Sequence, residues 1–322
     1  MARKLKFGLA INEALKQAMQ ADERVILIGQ GVKSPWYVGN TCKDLIELFG
    51  DDRVIDTPVS ENAMTGAAVG AAIAGHPAIS VHPRVDFMLY AFDPIINQAA
   101  NWSYMNGGAL PVPVVFWGII NRGGEQAAQH SQALQAMFAH VPGLKVVMPA
   151  TARDAKGLMV AAIKDPNPVV FIDDRWLYGI EDEVPEEIFE TPIGKAHIAR
   201  EGTDLTIVAS SYLVQESLKA AQILQNTYAI NAEVIDLRSI KPLDSSTILA
   251  SARKTKKIIV VDGTWASFGV AAEILAQVLE HAPSTRARRL ALPDLPAPAN
   301  RVLEKDYYIH ADNIVDCIKN FD

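Results

Sequence analysis

Cysteine is nearly absent. Cys42 and Cys317 are the only two in 322 residues, far apart and without metal-ligand spacing. A disulfide framework is excluded, and a reducing compartment fits. Dense Lys/Arg blocks are missing as well, and the formal net charge is -7. The expectation is therefore no nucleic-acid partner and no anionic membrane partner. The one basic cluster, RARR at 286–289, reads as a solvated surface. Long apolar runs are also lacking. The start, MARKLKFGLAINEALKQAM, is basic but has no signal-peptide core and reads as an amphipathic helix. A soluble, cytoplasmic protein is expected. No internal repeat or low-complexity tract occurs.

What is present is an alternation of short apolar runs with helical patterns, the mark of a parallel α/β sheet. Strands are predicted at 24–29, 53–57, 77–81, 113–118, 144–149 and 168–173. Helices fall at 92–105 and 152–164. Six strands with crossover helices fill one domain, 1–180. The stretch EDEVPEEIFETPIG, 181–194, is acidic and interrupted by Pro, as a solvated linker or a crossing strand would be. A second α/β unit, 195–322, follows. Its strands are predicted at 205–210, 232–237 and 257–262, and its helices at 212–226, 244–253 and 268–281. A Pro-rich stretch, 291–300, and a closing helix from about 311 complete it. The fold class is α/β, with two parallel-sheet domains.

The most informative segment is DTPVSENAMTGAAVGAAIAG at 56–75. Ser60 fits a helix N-cap and Glu61 the first turn, where a carboxylate complements the helix dipole. Almost everything after it is small, so backbone or a flat ligand can come close. In an apolar, water-poor seam the Glu61 carboxylate could instead exchange a proton with a ligand.

This segment is followed by DFMLYAFDPIINQAANWSYMNGG and by AAQHSQALQAMFAHVPGLKVVMPATARDAKGLMVAAIKDPNPVVF. PIGKAHI, VIDLRSIKPLD and FGVAAEI come after them. In this order and spacing the chain resembles one family along nearly its whole length. It is the β-subunit of the decarboxylating component of 2-oxo acid dehydrogenase complexes, of pyruvate, branched-chain and acetoin types. The resemblance implies a transketolase-like pyrimidine-binding domain, a transketolase C-terminal domain and thiamine diphosphate as cofactor.

The resemblance also implies roles. Glu61 hydrogen-bonds the aminopyrimidine ring and shuttles its proton. Phe87 packs on that ring, and Val59 and Tyr90 are further pocket walls. Tyr90 stands where pyruvate-type members commonly have Gln. His130, in AAQHSQA, lies at the active-site entrance, where a group titrating near neutrality can meet a substrate carboxylate or acyl group. His140 reads as structural. A structural K⁺ on backbone carbonyls matches Val114, Ala162, Ile163, Asp165 and Asn167. The GDG…N segment that carries Mg²⁺ and the diphosphate in this superfamily is missing. A separate α-type chain is therefore expected to supply that half, in an α2β2 heterotetramer.

Three runs depart from the pyruvate type. SVHPRVDF at 80–87 brings His82 and Arg84, FWGIINRGG at 116–124 brings Arg122, and DDRWLYG at 173–179 also differs. His82, Arg84 and Arg122 suggest an anionic or polyhydroxylated substrate. The alternative is that His82 and Arg84 form a buried pair with Asp86 or a local structural network. The leading reading is oxidative decarboxylation of a 2-oxo acid with acyl transfer to a lipoyl carrier, alongside a lipoyl acyltransferase. A second keeps the cofactor but makes the chain part of a split transketolase-like carboligase acting on a sugar or aldehyde. A third is a non-catalytic scaffold that retains the fold.

Overall fold

The computed structural model describes residues 3–34 and 38–321. The outer limits of the two expected domains, 1 and 322, fall outside that range. The first half begins with β1 (Lys4–Lys6), α1 (Phe7–Ala21), β2 (Ile26–Gly29), α2 (Leu45–Phe49), β3 (Val54–Asp56), α3 (Glu61–Ile73) and β4 (Ala78–His82). A 3-10 turn, Val85–Ala91, runs through a π-helical turn, Asp93–Ala99, into α4 (Ala100–Met105). Then come β5 (Val114–Ile120), α5 (Gln135–His140), β6 (Lys145–Val147), α6 (Ala152–Lys164), β7 (Val169–Asp174) and β8 (Glu181–Glu183).

The second half holds β9 (His197–Arg200), β10 (Leu205–Ala209), α7 (Tyr212–Tyr228), β11 (Ala232–Asp236), β12 (Ser239–Lys241) and α8 (Ser245–Thr255). It ends with β13 (Lys257–Trp265), α9 (Val270–His281), β14 (Arg286–Leu292), α10 (Arg301–Tyr307) and α11 (Ala311–Lys319). No helix among the described residues is long and apolar enough to cross a membrane.

The six predicted strands of the first half all form and run parallel. The sheet order is β12-β6-β7-β5-β4-β2-β3. Every residue of β5, VVFWGII, is buried, because helices cover both faces of a parallel sheet. On one face α1 and α6 bury Phe7, Ile11, Leu15, Leu158 and Met159 against Leu27, Val115 and Trp117. On the other, α3 and the 85–105 segment pack Ala68, Val69, Met88 and Ile95 against Phe116. The seventh strand, β12, comes from the second half and pairs antiparallel with β6. The first sheet is thus completed across the linker.

The second sheet has the order β14-β13-β10-β11-β9. Its core on one side is continuous with the first, and α7 and α11 cover the other. The RARR cluster is largely solvated, with Arg286 and Arg289 exposed. It lies in edge strand β14, parallel to β13, and Arg288 donates to the Cys317 carbonyl near the end of α11.

The acidic 181–194 stretch is anchored. β8 pairs antiparallel with β1, placing Glu181 opposite Lys6 and Glu183 opposite Lys4. The Lys156 ammonium, wholly buried, donates to the carbonyls of Pro185, Glu186 and Glu187 and to Glu13. A buried ammonium needs such partners, and this peptide supplies three of them.

Candidate functional site

Strand order decides where the site forms. β3 lies on one side of β2 and β4 on the other. Open parallel sheets bind ligands at such a reversal, outside the carboxyl ends of the strands. Gln30 follows β2 there, Val59 and Glu61 follow β3, Arg84 and Phe87 follow β4, and His130 lies in the loop after β5. These side chains, with Tyr90, line one cavity of ≈ 560 Å³.

Glu61 is the first residue of α3. Ser60 occupies the N-cap position, but its side chain makes no capping bond. The expected water-poor seam is not built by this chain. Glu61 is only half-buried, and Asn62, Ala63, Gly66, Ala67 and Gly70 along the same helix are exposed. Val59 and Tyr90 are 68% and 73% exposed, so the walls beside Glu61 are open.

Phe87 is presented by the 85–91 turn. Val85 and Met88 point inward, and Gly118 on β5 leaves room for Met88, whose sulfur a Cβ there would strike. Phe87 then faces the cavity. Its ring meets that of His130 edge to face.

Arg84 is fixed by the His130 loop. Its Nη2 donates to Gln126 Oε1 at 3.2 Å, which also accepts from Asn121 Nδ2 at 3.1 Å. Asn121 Oδ1 accepts from Arg175 Nη1 at 3.0 Å. A half-buried guanidinium held this way can meet an anion with little reorganisation.

Residues 3–180 match the transketolase pyrimidine-binding domain, and 194–314 the transketolase C-terminal domain. The chain is 42% identical to the β subunit of an acetoin:2,6-dichlorophenolindophenol oxidoreductase of Cupriavidus necator, covering 96% of this chain and 94% of that one. It is 42% identical to the pyruvate dehydrogenase E1 component subunit beta of Rickettsia felis, covering 97% of each. It therefore belongs to the β-subunit family of thiamine-diphosphate-dependent 2-oxo acid dehydrogenases. The human mitochondrial pyruvate dehydrogenase E1 β subunit is 41% identical over 96% of this chain and 88% of its own. A solved structure described as a split gene transketolase, inactive beta4 tetramer, superposes with TM-score 0.81 at 20% identity, over 98% of this chain and 97% of that one. At that identity it speaks for the fold alone.

Within this family fold, the residues expected at the pyrimidine lie together: Val59, Glu61, Phe87 and Tyr90, with His130 beside them. Of the three expected substrate residues, only Arg84 joins them. His82 is fully buried at the end of β4, its Nε2 at 3.2 Å from Thr65 Oγ1 and 3.3 Å from Ser80 Oγ. Burial pushes its pKa down to about 3, so the ring is neutral. It ties α3 to β4, one turn below Glu61, and does not face substrate.

Arg122 does not line the cavity either. It is buried between the two halves, with Nε 2.9 Å from Asp174 Oδ2. The rings of Trp176 and Tyr308 flank its guanidinium at 5.8 and 5.6 Å. The alternative holds in its local form for His82, which joins Thr65 and Ser80. Asp86 binds Gln132 instead.

The positions matched to K⁺ lie close in the fold. Val114 opens β5, Ala162 and Ile163 end α6, and Asp165 and Asn167 form the next turn. The Asp165 carboxylate pairs with Lys145 and accepts the Asn167 N–H.

Sequence reasoning missed Gln126, Gln129 and Gln132, and it gave Asp86 other partners. The signal was there. Glutamines at every third position bracket His130. Such a run of uncharged amides on a loop beside a site is a hydrogen-bonding surface.

Proposed function

We propose that this chain binds the aminopyrimidine half of thiamine diphosphate and acts in oxidative decarboxylation of a 2-oxo acid, with the acyl group passing to a lipoyl carrier on an acyltransferase. The observation that supports it most is the convergence of Glu61, Phe87, Val59 and Tyr90 on one cavity. A carboxylate opposite an aromatic wall fits a flat, protonatable heterocycle. The cofactor, when bound, supplies the electron sink for cleaving the 2-oxo acid.

This chain's residues supply the rest. Glu61 hydrogen-bonds the ring and holds or returns its proton at a carboxylate oxygen. Phe87 fixes the ring plane. His130, at the mouth, exchanges a proton with the substrate, and Arg84 meets its carboxylate. The open walls at Val59 and Tyr90 and the exposed small-residue side of α3 suit coverage by an α-type chain in an α2β2 heterotetramer. That chain would hold the diphosphate and Mg²⁺. A K⁺ on the carbonyls of Val114, Ala162, Ile163, Asp165 and Asn167 belongs to the same proposal.

Calorimetry tests the split site. The isolated chain should bind thiamine diphosphate weakly or not at all, and the assembled complex should bind it with Mg²⁺ dependence. Micromolar, Mg²⁺-dependent binding to the chain alone would overturn it.

A further inference from the structure

The loop between β5 and α5 carries His130 to the cavity, and its backbone is strained. Gly123, Gly124, Glu125 and Ala127 take left-handed φ values of 81°, 68°, 62° and 60°. Glycine adopts that conformation at no steric cost, but Glu125 and Ala127 carry a Cβ that opposes it. A loop in such a shape persists only where contacts from outside hold it.

The far end of the chain supplies them. Glu304, in α10, is 6% exposed, and its Oε2 accepts the Glu125 N–H at 3.0 Å. The bond spans 179 residues and ends on the first of the two strained residues. Helix α10 is itself capped by Asn300, whose Oδ1 accepts the Val302 and Leu303 N–H groups, so Glu304 is presented from a fixed first turn. Just after α10, Tyr308 packs against Trp176, with ring centroids 5.1 Å apart. The Trp176 indole occupies the space where a Cβ on Gly123 would stand. The 304–308 segment thus braces the loop at Glu125 directly and at Gly123 through Trp176.

The same loop reaches the groups that line the cavity. Gln126, next to Glu125, accepts from Arg84. The Ser131 hydroxyl donates to the Ala127 carbonyl at 2.5 Å, tying the His130 end of the loop to its middle. A displacement at Glu125 is therefore passed to Arg84 and His130. Glu61 and Phe87 are carried by other segments, α3 and the 85–91 turn.

We propose that Glu304 is a positioning residue for the substrate side of the site. It holds the 121–131 loop so that Arg84 and His130 meet the substrate, and it acts through that loop alone. The inference rests on reading Arg84 and His130 as the groups that meet a 2-oxo acid.

The test uses the assembled complex. Glu304→Leu removes the acceptor and keeps the bulk, whereas Glu304→Gln keeps an acceptor oxygen at the same reach. In Glu304→Leu, kcat/KM for the 2-oxo acid should fall about ten- to hundredfold, the scale of loss when reacting groups are slightly misplaced. The cofactor Kd should change by less than about threefold. Glu304→Gln should keep kcat/KM within about threefold of the wild type. Backbone hydrogen–deuterium exchange should rise in 121–131 of Glu304→Leu and stay at the wild-type level in Glu304→Gln. Where Glu304→Leu fails to assemble, Glu304→Asp, one methylene too short, should shift both readouts in the same direction. Equal losses in the Gln and Leu variants would overturn the proposal, because a residue that holds the loop by accepting a hydrogen bond is rescued by Gln. So would unchanged exchange of the loop in Glu304→Leu, or a loss confined to cofactor affinity. A complex that turns over no 2-oxo acid refutes the underlying reading, while loop exchange in the same variants still decides whether Glu304 holds the loop.

Discussion

The ring of Phe87 meets the imidazole of His130 edge to face, with centroids 5.4 Å apart and planes at 87°. One contact thus joins the turn after β4 to the loop after β5, and both rings line the cavity. A perpendicular contact of this kind covers at most one Phe87 face and leaves another for a flat heterocycle. Stacking is worth about 0.5–1.5 kcal/mol beyond burial. Phe87→Ala should therefore raise the cofactor Kd of the complex about two- to tenfold more than Leu89→Ala does. Calorimetry on both variants decides it. Equal losses would reduce Phe87 to a packing residue.

Glu61→Gln keeps size and hydrogen bonding but removes the exchangeable proton. Turnover should drop by about 10²- to 10⁴-fold, the usual range for a general acid–base group. Cofactor affinity should change far less. The direct probe is hydrogen–deuterium exchange at the reactive carbon of the bound cofactor. Exchange at the wild-type rate would assign the relay to another residue.

Arg122 and Asp174 form a buried ion pair at the junction of the two halves. Burial pushes the Asp174 carboxyl up, and Arg122 draws it back. Arg122→Met strands Asp174 in the interior and should cost about 3–5 kcal/mol. Arg122→Met combined with Asp174→Leu should recover much of it, since an apolar pair has no charge to desolvate. Urea denaturation reads both. A single variant as stable as the wild type would show that Arg122 contributes nothing here.

Asp173, beside that pair, gives a pH dependence of known sign. Burial pushes its carboxyl up to about 7, against hydrogen bonds from Tyr178 and Trp117. A pKa raised in the folded state contributes stability that is fully present below the unfolded value, 3.8, and lost as pH rises through about 7. Asp236, also pushed up to about 7 by burial, acts in the same direction. His82, pushed down to about 3 from 6.5, works the other way below about pH 6.5. Above that the urea midpoint should fall toward about pH 8, and Asp173→Asn should flatten that fall. A wild-type midpoint that rises over this window would contradict it.

The six parallel strands of the first half were legible because most are buried on both faces and read as short apolar runs; only edge strand β3 is open on one side. Helix α6 formed at the predicted 152–164, with the Thr151 side chain accepting the Asp154 N–H as its N-cap. The antiparallel pieces were not legible. β1, β8, β9 and β12 are three or four residues long and carry no periodicity. The parallel edge strand β14 was missed for another reason, because it looks like a charge cluster.

At the site, the sequence alone determined the positions of Glu61, Phe87 and His130, through motifs whose order resembles a family. Tertiary structure decided which of three equally plausible cationic residues faces the cleft. His82, at the last position of a strand, turns beneath α3 to two hydroxyls, while Arg84, two residues later, has left the sheet and reaches the cavity. Arg122 finds Asp174 across the β5–β7 junction and two aromatic rings, one of them from the far end of the chain. Linear sequence carries neither the point where a strand releases its chain nor the partners that packing brings from a distance. Those two facts settle whether a polar side chain is buried among partners or left to meet a ligand.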